Sequence, residues 1–323
     1  MKLADLYNYL RPEIQKIEEE LERSVLTTHP VLEDASLHLL KAGGKRIRPV
    51  VVLLAGNYGT YDIERIKHIA VSLELIHMAS LVHDDVIDDA ELRRGQKTIK
   101  AQWDNRVAMY SGDYLFAKAI EKATFFEKPE IHKVISNTMI EMCIGEVEQI
   151  RDQYNWDQNL RTYLRRIRRK TAILIAVSCE LGAMASDASK ADQRRLHAYG
   201  YNLGMSYQII DDVLDFVGTE KELGKPAGSD LLQGNITLPV LYAMEKDSSM
   251  REKLREIFVN EDPEEGQMRE VLQEIRESGG MEFSKDMSQR YLKKAFEALE
   301  GLPDISATES LQSIAKYIGK RDH

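Results

Sequence analysis

The sequence predicts an all-α fold, and three observations support that prediction. Apolar residues recur at spacings of three and four along most of the 323 residues, as they do on one face of a helix. No stretch bounded by turn residues alternates between apolar and polar side chains for long enough to predict a strand. Glycine and proline, which interrupt helices, occur only 19 and 8 times in the chain.

The helices are predicted in order from the amino terminus. A stripe of leucine and isoleucine side chains from Leu3 to Leu21 predicts an amphipathic helix. Residues 70–89 contain neither glycine nor proline and are apolar nearly all round until their acidic end, which indicates a helix buried among other helices. Helical periodicity also predicts helices over residues 107–125, 131–152, 160–186, 190–216, 235–246, 249–260, 265–277 and 285–300.

Two glycine-containing breaks interrupt this pattern. The first is GGKRIRP at residues 43–49, where Pro49 suits the first turn of the next helix. The second runs from Gly218 to Gly234. Because the apolar helical pattern resumes directly on both sides of each break, neither resembles a linker between domains. We therefore expect a single domain over residues 1–323.

Composition excludes several classes of protein. A formal net charge of −9 argues against nonspecific binding to nucleic acid. Two cysteines, Cys143 and Cys179, cannot form a disulfide framework, and the first residues lack the apolar run of a secretory signal. The longest uncharged stretches are too short and too polar to span a bilayer. We expect a soluble, cytoplasmic protein without a transmembrane segment.

The strongest motif is the pattern D-D-x-x-D, which occurs twice, each time at the end of an apolar helical run. Its members are Asp84, Asp85 and Asp88, and again Asp211, Asp212 and Asp215. On a helix the first and last members of each triplet share a face. Like charges beside an apolar helix are costly unless a cation neutralises them. Carboxylate oxygens without paired histidine or cysteine favour Mg²⁺, which prefers a few carboxylates together with water and substrate phosphate.

Basic and glycine residues supply groups for the phosphate of such a substrate. In the first break Gly43 and Gly44 let the backbone approach an anion, and Lys45 and Arg48 can reach it. His77 lies two turns before Asp84. Further donors follow at Arg93, Arg94, Lys170, Thr171 and Lys225. Any one of these could be a solvated surface charge, and His77 alone could be a core residue, but their grouping favours binding of a phosphorylated small molecule.

Five sequence blocks, in order, resemble those of the trans-isoprenyl diphosphate synthases, the polyprenyl synthetase family. They are GGKRIRP (43–49), HMASLVHDDVIDDAELRRG (77–95), KTA (170–172), GMSYQIIDDVLDF (204–216) and GKPAGSD (224–230). The resemblance implies the isoprenoid synthase fold, a bundle of long antiparallel helices around a central catalytic cavity. Within the family the chain is most similar to the large catalytic subunits of two-component hexaprenyl and heptaprenyl diphosphate synthases. That similarity implies a small regulatory subunit as partner, or a homodimer.

The resemblance also implies roles for individual residues. The ligands of Mg²⁺ ions bridging an allylic diphosphate would be Asp84, Asp85, Asp88, Asp211 and Asp215, with Asp212 as a further catalytic residue. Contacts to the same diphosphate would come from Arg93, Lys170, Thr171, Gln208 and Lys225. The diphosphate of isopentenyl diphosphate would be held by Gly44, Lys45, Arg48, His77 and Arg94. The chain departs from the family at Asn235, where a basic residue is common, so less positive charge is expected there.

The implied activity is that of a trans-prenyltransferase. It would extend an allylic primer, such as farnesyl diphosphate, with successive isopentenyl diphosphate units to a long all-trans polyprenyl diphosphate. Ala79 and Ser80, about one turn before Asp84, are small, and they predict an open tunnel for a growing chain. The resemblance favours a heptaprenyl product for a menaquinone side chain.

Three other functions stay open. One is a homodimeric synthase with a hexaprenyl or octaprenyl product, and another is a non-catalytic subunit that binds prenyl diphosphate. The third is an HD-type metal phosphohydrolase, because His83 and Asp84 form a literal His-Asp pair. That alternative needs further histidine ligands and leaves the second acidic motif unexplained.

Overall fold

A computed structural model describes residues 3–44, 46–218, 227–259 and 263–321 of the chain. Most of these residues are helical, and the prediction of an all-α fold is confirmed. Within the described ranges, no helix is both long enough and apolar enough to cross a membrane.

The described helices follow the predicted order, with some runs divided into shorter helices. Pro49 lies in the first turn of α4, as predicted. Helices α1 to α7 cover Leu3–Tyr9, Arg11–Val25, Pro30–Lys41, Ile47–Gly56, Ile63–Ile87, Ile99–Gln102 and Asn105–Ala123. Helices α8 to α11 cover Pro129–Asp152, Leu160–Ile167, Ile173–Ala185 and Lys190–Val217. Helices α12 to α17 cover Ser229–Leu232, Leu238–Lys246, Ser248–Ile257, Glu265–Glu277, Gly280–Leu299 and Ser306–Gly319.

One pair of short strands was not predicted from the sequence. Strands β1 (Leu92–Arg93) and β2 (Gln96–Lys97) pair in antiparallel orientation across a two-residue turn. Arg94 and Gly95 in this turn have positive φ angles of 53° and 76°, as the central residues of a type I′ turn do. The expectation of no strands was wrong here because two-residue strands are too short to show an alternating pattern.

The chain divides into two compact units that are interleaved in sequence. The first unit comprises Met1–Met139, Leu174–Gly200 and Ala298–Ile314. The second comprises Ile140–Ile173, Tyr201–Glu297 and Ala315–His323. The expected single domain over residues 1–323 stays a prediction.

Helix α5 forms the centre of the core of the first unit. At its start, the Asp62 side chain accepts a hydrogen bond from the Glu64 backbone N–H at 2.9 Å and so caps the helix. Helices α2, α4 and α7 pack against it, and most of its apolar residues are buried, as the sequence predicted. The buried side chains include Ile66, Ile69, Leu73, Ile76 and Val82. The acidic end of α5 is therefore the end of a helix that is anchored along its length.

The core of the second unit gathers around the carboxyl-terminal half of α11. Phe216 of α11 and Tyr163 of α9 are fully buried in it. Arg276 of α15 donates a hydrogen bond from Nε to the Phe216 carbonyl oxygen at 2.8 Å. Helices α13, α14 and α15 complete this core with Val240, Leu254, Val271 and Ile275. The second acidic motif thus also lies at the end of a helix packed into a core.

A π-helical segment, Arg168–Ala172, joins α9 to α10. The sequence predicted one uninterrupted helix over residues 160–186, since a π segment adds one residue to a turn and leaves the apolar pattern on either side intact. Ion pairs to α8 hold this segment. Arg169 donates from Nε to Glu141 at 3.0 Å and from Nη1 to Glu148 at 2.5 Å. The KT pair of the KTA block, at residues 170–171, therefore lies in a locally widened turn.

Helices α4 and α10 approach each other closely at Gly182. A Cβ atom at this position would lie 2.4 Å from the Val52 carbonyl oxygen, which is backbone and cannot move aside easily. We expect Gly182→Ala to lower the free energy of unfolding by about 1–2 kcal/mol, because the steric cost exceeds the gain in helix propensity. Urea unfolding followed by circular dichroism measures the change.

The matched control is Gly266→Ala in α15, where no atom lies within 4 Å of the added Cβ. That variant should be as stable as the wild type or more stable. Equal stability of the Gly182→Ala variant and the wild type would contradict the close approach.

Candidate active site

The first acidic motif ends helix α5. The Asp88 backbone N–H donates to the Asp84 carbonyl oxygen at 2.8 Å, and both side chains are half-buried. Asp85 is buried, with 3% of its surface exposed. Carboxylates at this end of a helix face the negative end of its dipole, which is unfavourable unless a cation lies nearby. The pair Asp84 and Asp88 therefore favours a cation.

Asp85 is paired with Arg93 of strand β1. Arg93 Nε lies 2.9 Å from Asp85 Oδ1 and 3.1 Å from Oδ2, and Arg93 Nη2 lies 2.7 Å from Oδ1. Both carboxylate oxygens are thus engaged by one guanidinium. The resemblance assigns Asp85 to the metal and Arg93 to the diphosphate, whereas in this structure the two bind each other.

Four residues implied for the isopentenyl diphosphate site lie close together in the first unit. A Cβ atom at Gly44 would lie 2.8 Å from Arg94 Nη1, although the two residues are far apart in sequence. His77 lies near Arg48 and Arg94, and its burial together with their positive charges holds its pKa well below the ordinary value. The His77 ring is therefore neutral at neutral pH. Lys45, the fifth implied residue, lies outside the described residues.

An ion pair that the sequence analysis missed ties this group to helix α5. Arg46 Nη1 lies 3.0 Å from Glu74 Oε1, and both side chains are largely buried. Arg46 has a φ of 48°, so the chain turns sharply just before α4. One signal for this pair was available, since Glu74 is the single charged residue in the apolar run over residues 70–83.

The second acidic motif ends helix α11, and its first and last members are differently placed. Asp211 is half-buried and pairs with Arg321, whose Nη1 lies 2.5 Å from Asp211 Oδ1. Asp215 is buried and accepts hydrogen bonds from Ser229 Oγ at 2.9 Å and from the Asp230 backbone N–H at 3.2 Å. Asp215 thereby attaches the start of α12 to the end of α11.

Asp212, the middle member, is buried and accepts two hydrogen bonds from neutral donors. Tyr163 Oη donates to Asp212 Oδ2 at 2.7 Å, and Gln208 Nε2 donates to Oδ1 at 2.8 Å. Burial raises the pKa of Asp212 to about 7, with Asp230 adding to the shift. The Thr171 hydroxyl in turn donates to Gln208 Oε1 at 2.5 Å. The structure therefore brings together Thr171, Gln208 and Asp212 of the implied site.

Lys170, in the π segment, contacts helix α8. Its Nζ donates to Gln149 Oε1 at 3.0 Å and lies 3.9 Å from Glu146 Oε2. Gln149 is buried, so the lysine is directed by a fixed partner. Lys225 lies outside the described residues.

The donor set suits a hard divalent cation. Within the described part of the chain, no three histidine, cysteine, aspartate or glutamate side chains gather in a geometry that could hold a metal ion. Each motif instead presents carboxylates one helical turn apart, at Asp84 and Asp88 and at Asp211 and Asp215. Mg²⁺ is commonly bound by one or two carboxylates together with substrate phosphates, so these pairs fit it.

Comparison with known proteins assigns the family. Residues 29–275, well over half of the chain, match the profile described as "Polyprenyl synthetase". The chain belongs to the polyprenyl synthetase family.

Individual family members are similar over nearly their whole length. The heptaprenyl diphosphate synthase component 2 of Bacillus subtilis (strain 168) is 57% identical over 321 residues, which cover 99% of this chain and 91% of that protein. The crystal structure of heptaprenyl diphosphate synthase from Staphylococcus aureus superposes with a TM-score of 0.93 and 44% identity, covering 97% of this chain and 99% of that one. The polyprenyl synthase from Caulobacter crescentus CB15, complexed with calcium and isoprenyl diphosphate, has a TM-score of 0.93 and 29% identity, covering 98% and 97%.

Membership of the polyprenyl synthetase family confirms two predictions from the sequence. The fold is that of the isoprenyl synthases, and the chain is a prenyltransferase of the polyprenyl synthetase family. Members of the family bind divalent metal ions, as the calcium in the C. crescentus structure illustrates. The name of the B. subtilis relative describes one component of an enzyme that has more than one.

The two residues expected to control chain length differ in their surroundings. Ala79 is fully buried, whereas Ser80 is partly exposed and lies one turn before Asp84 on the same face of α5. The Ser80 hydroxyl donates to the His77 carbonyl oxygen at 2.8 Å. Of the two, Ser80 therefore has the position from which a larger side chain could reach the space beside Asp84.

His83, on which the phosphohydrolase alternative depends, contacts helix α7. Its Nε2 lies 3.2 Å from the Met109 carbonyl oxygen and 3.4 Å from Asp113 Oδ1, and its ring is tilted against Phe116. A histidine cluster of the kind that this alternative requires is not found among the described residues.

The contact between Arg93 and Asp85 predicts a charge-dependent loss of stability. Arg93→Ala leaves the buried Asp85 carboxylate without its guanidinium. Because Arg93 is itself 27% exposed, we expect a loss of about 2 kcal/mol in the free energy of unfolding, less than for a fully buried pair. Urea unfolding measures this loss.

The control is the double variant Asp85→Asn with Arg93→Ala, which removes the uncompensated charge. Its stability should recover most of the loss. An Arg93→Ala variant as stable as the wild type would mean that the contact contributes nothing to folding.

Proposed function

We propose that this chain is the catalytic subunit of a two-component heptaprenyl diphosphate synthase. It extends an allylic primer, farnesyl diphosphate, with isopentenyl diphosphate units to an all-trans product of seven isoprene units. The observation that carries the proposal is the presence of both acidic motifs at the ends of buried helices in a family member 57% identical to a heptaprenyl diphosphate synthase component 2.

The Mg²⁺ ligands in this proposal are the carboxylates that lie one turn apart in each motif. They are Asp84 and Asp88 in the first unit, and Asp211 and Asp215 in the second. When bound, Mg²⁺ would neutralise the negative charge of the diphosphate. Bound Mg²⁺ would share the Asp211 carboxylate with Arg321, and at Asp215 it would compete with the hydrogen bonds from Ser229 and Asp230.

Cationic and polar side chains stabilise the charge that develops during the reaction. The allylic C–O bond breaks, and the leaving diphosphate takes the electron pair while Arg93, Lys170 and Lys225 stabilise it, with Thr171 and Gln208 as hydrogen-bonding groups. The isopentenyl double bond attacks the allylic carbocation, a new C–C bond forms, and a proton is lost as a double bond forms again. Gly44, Lys45, Arg48, His77 and Arg94 hold the diphosphate of the attacking isopentenyl diphosphate. No nucleophile from the protein is needed.

The cellular setting follows from the same proposal. The chain acts in the cytoplasm together with a smaller regulatory subunit, and its product supplies a menaquinone side chain. The support for a partner subunit is the name of the B. subtilis relative, which numbers that protein as component 2. A homodimer that works without a smaller subunit is the alternative that the product assay below tests.

Product analysis by mass spectrometry tests the function. With farnesyl and isopentenyl diphosphates, Mg²⁺ and the smaller subunit of a two-component synthase, we expect heptaprenyl diphosphate, and little product from the chain alone. Asp84→Ala should reduce turnover at least ~10²–10³-fold, because it removes one preorganised electrostatic group.

Asp286→Ala, which changes an exposed aspartate of α16, is the matched control and should retain wild-type turnover. Release of inorganic phosphate without a longer prenyl chain would refute the function. Full activity of the chain alone would refute the need for a partner.

Ser80→Phe tests the length of the product. A phenyl ring one turn before Asp84 should block a growing chain, so we expect shorter products, with Ser80→Ala as a control that leaves the distribution unchanged. Mass spectrometry of the products compares the two variants. An unchanged distribution in Ser80→Phe would contradict a tunnel along this face of α5.

A further inference from the structure

A continuous series of hydrogen bonds connects four side chains in the second unit. Tyr163 on α9 donates from Oη to Asp212 Oδ2 on α11 at 2.7 Å. Gln208, also on α11, donates from Nε2 to Asp212 Oδ1 at 2.8 Å. The series ends at the Thr171 hydroxyl, which lies 2.5 Å from Gln208 Oε1. We call these four residues the Tyr163 series. It links α9, α11 and the π segment.

The direction of these hydrogen bonds follows from Tyr163, the most buried member of the series. Burial, with the nearby Asp212 carboxylate, keeps the pKa of Tyr163 well above its ordinary value, so the phenol retains its proton and donates. Both Asp212 oxygens accept in this arrangement, and the Gln208 amide turns its NH₂ group toward Asp212 and its oxygen toward Thr171. Asp212 thus determines the orientation of the Gln208 amide.

The Tyr163 series is most deeply buried at Tyr163 and Asp212. Tyr163 is fully buried, Asp212 is 3% exposed, Thr171 is 9% exposed, and Gln208 is half-buried. The Gln208 NH₂ group carries a second N–H besides the one that it donates to Asp212. Gln208 and Thr171, the less buried members, are therefore polar groups whose orientation depends on the buried Asp212 and Tyr163.

We propose that Tyr163 is a positioning residue for the allylic diphosphate, which it orients indirectly by holding Asp212, and through it Gln208 and Thr171. This inference rests on the proposed function, in which Gln208 and Thr171 contact that diphosphate. Tyr163 itself touches no substrate. Groups that are already oriented stabilise a charged ligand better than groups that must first reorient, so loss of the Tyr163 hydroxyl weakens binding at a distance.

Tyr199 offers a matched control for removal of the Tyr163 hydroxyl. It too is fully buried, and its Oη donates one hydrogen bond, to the Leu311 carbonyl oxygen at 2.8 Å. Tyr199 lies in the first unit and is not part of the Tyr163 series. Tyr163→Phe and Tyr199→Phe therefore remove the same group from similar surroundings, and only one of them disturbs Asp212.

Steady-state kinetics with both substrates, Mg²⁺ and the smaller subunit tests the proposal. We expect Tyr163→Phe to raise the KM for the allylic diphosphate about five- to tenfold, as the loss of one oriented hydrogen bond would. The KM for isopentenyl diphosphate should stay within twofold of the wild-type value, and Tyr199→Phe should change neither KM. Because Thr171→Val interrupts the same series, its effect and that of Tyr163→Phe should combine to less than their product in the double variant.

Several outcomes would overturn the positioning role. They are an unchanged allylic KM in Tyr163→Phe, equal changes in both KM values, or effects that multiply in the double variant. If Tyr163→Phe does not fold, Asp212→Asn replaces it, because this variant keeps the volume but removes one acceptor, and it should show the same selective change.

Calorimetric titration with farnesyl diphosphate and Mg²⁺ separates this proposal from the proposed function. The measurement compares the wild type, Tyr163→Phe and Tyr199→Phe without requiring turnover. Equal affinities of the wild type and Tyr163→Phe would overturn the positioning role alone. Lack of chain extension by the wild type in the presence of the smaller subunit would overturn the proposed function alone, and lack of any binding by the wild type would overturn both.

Discussion

Negative charge at the ends of two buried helices is the constraint on which the rest of the site depends. A carboxylate there faces both the helix dipole and a core of low polarity, so each must find a compensating group. Asp85 has the guanidinium of Arg93, Asp211 has that of Arg321, and Asp215 accepts two hydrogen bonds at the start of α12. Each unit thus balances its own acidic motif.

The two motifs share one pattern, but the surroundings of their second aspartate differ. In both, the second aspartate is turned about 100° from the first and is buried. Asp85 meets a cation there, whereas Asp212 accepts hydrogen bonds from a phenol and an amide. Burial raises the pKa of Asp212 to about 7 even though these two hydrogen bonds lower it. The same D-D-x-x-D spacing therefore yields an ion pair in one unit and hydrogen bonds from neutral donors in the other.

Much of the fold and the location of the site could be predicted from the sequence, because helical periodicity and the face shared by residues four apart are local properties. The burial of α5 and the pairing of Asp84 with Asp88 are of this kind. The contacts of Arg93, Arg321 and Tyr163 depend on where distant segments meet, which periodicity does not determine. The strand pair at Leu92 and the π segment were missed because each involves fewer residues than a periodic pattern needs.

The π segment at Arg168–Ala172 bears on how this region can change over evolution. A π turn is equivalent to an α-helix that has gained one residue without shifting the helix on either side. Deleting a single residue here would restore regular winding and leave the flanking turns in register, but it would turn the side chains within the segment, Lys170 and Thr171 among them, to new directions. Insertions and deletions in this stretch should therefore be rarer among relatives than substitutions.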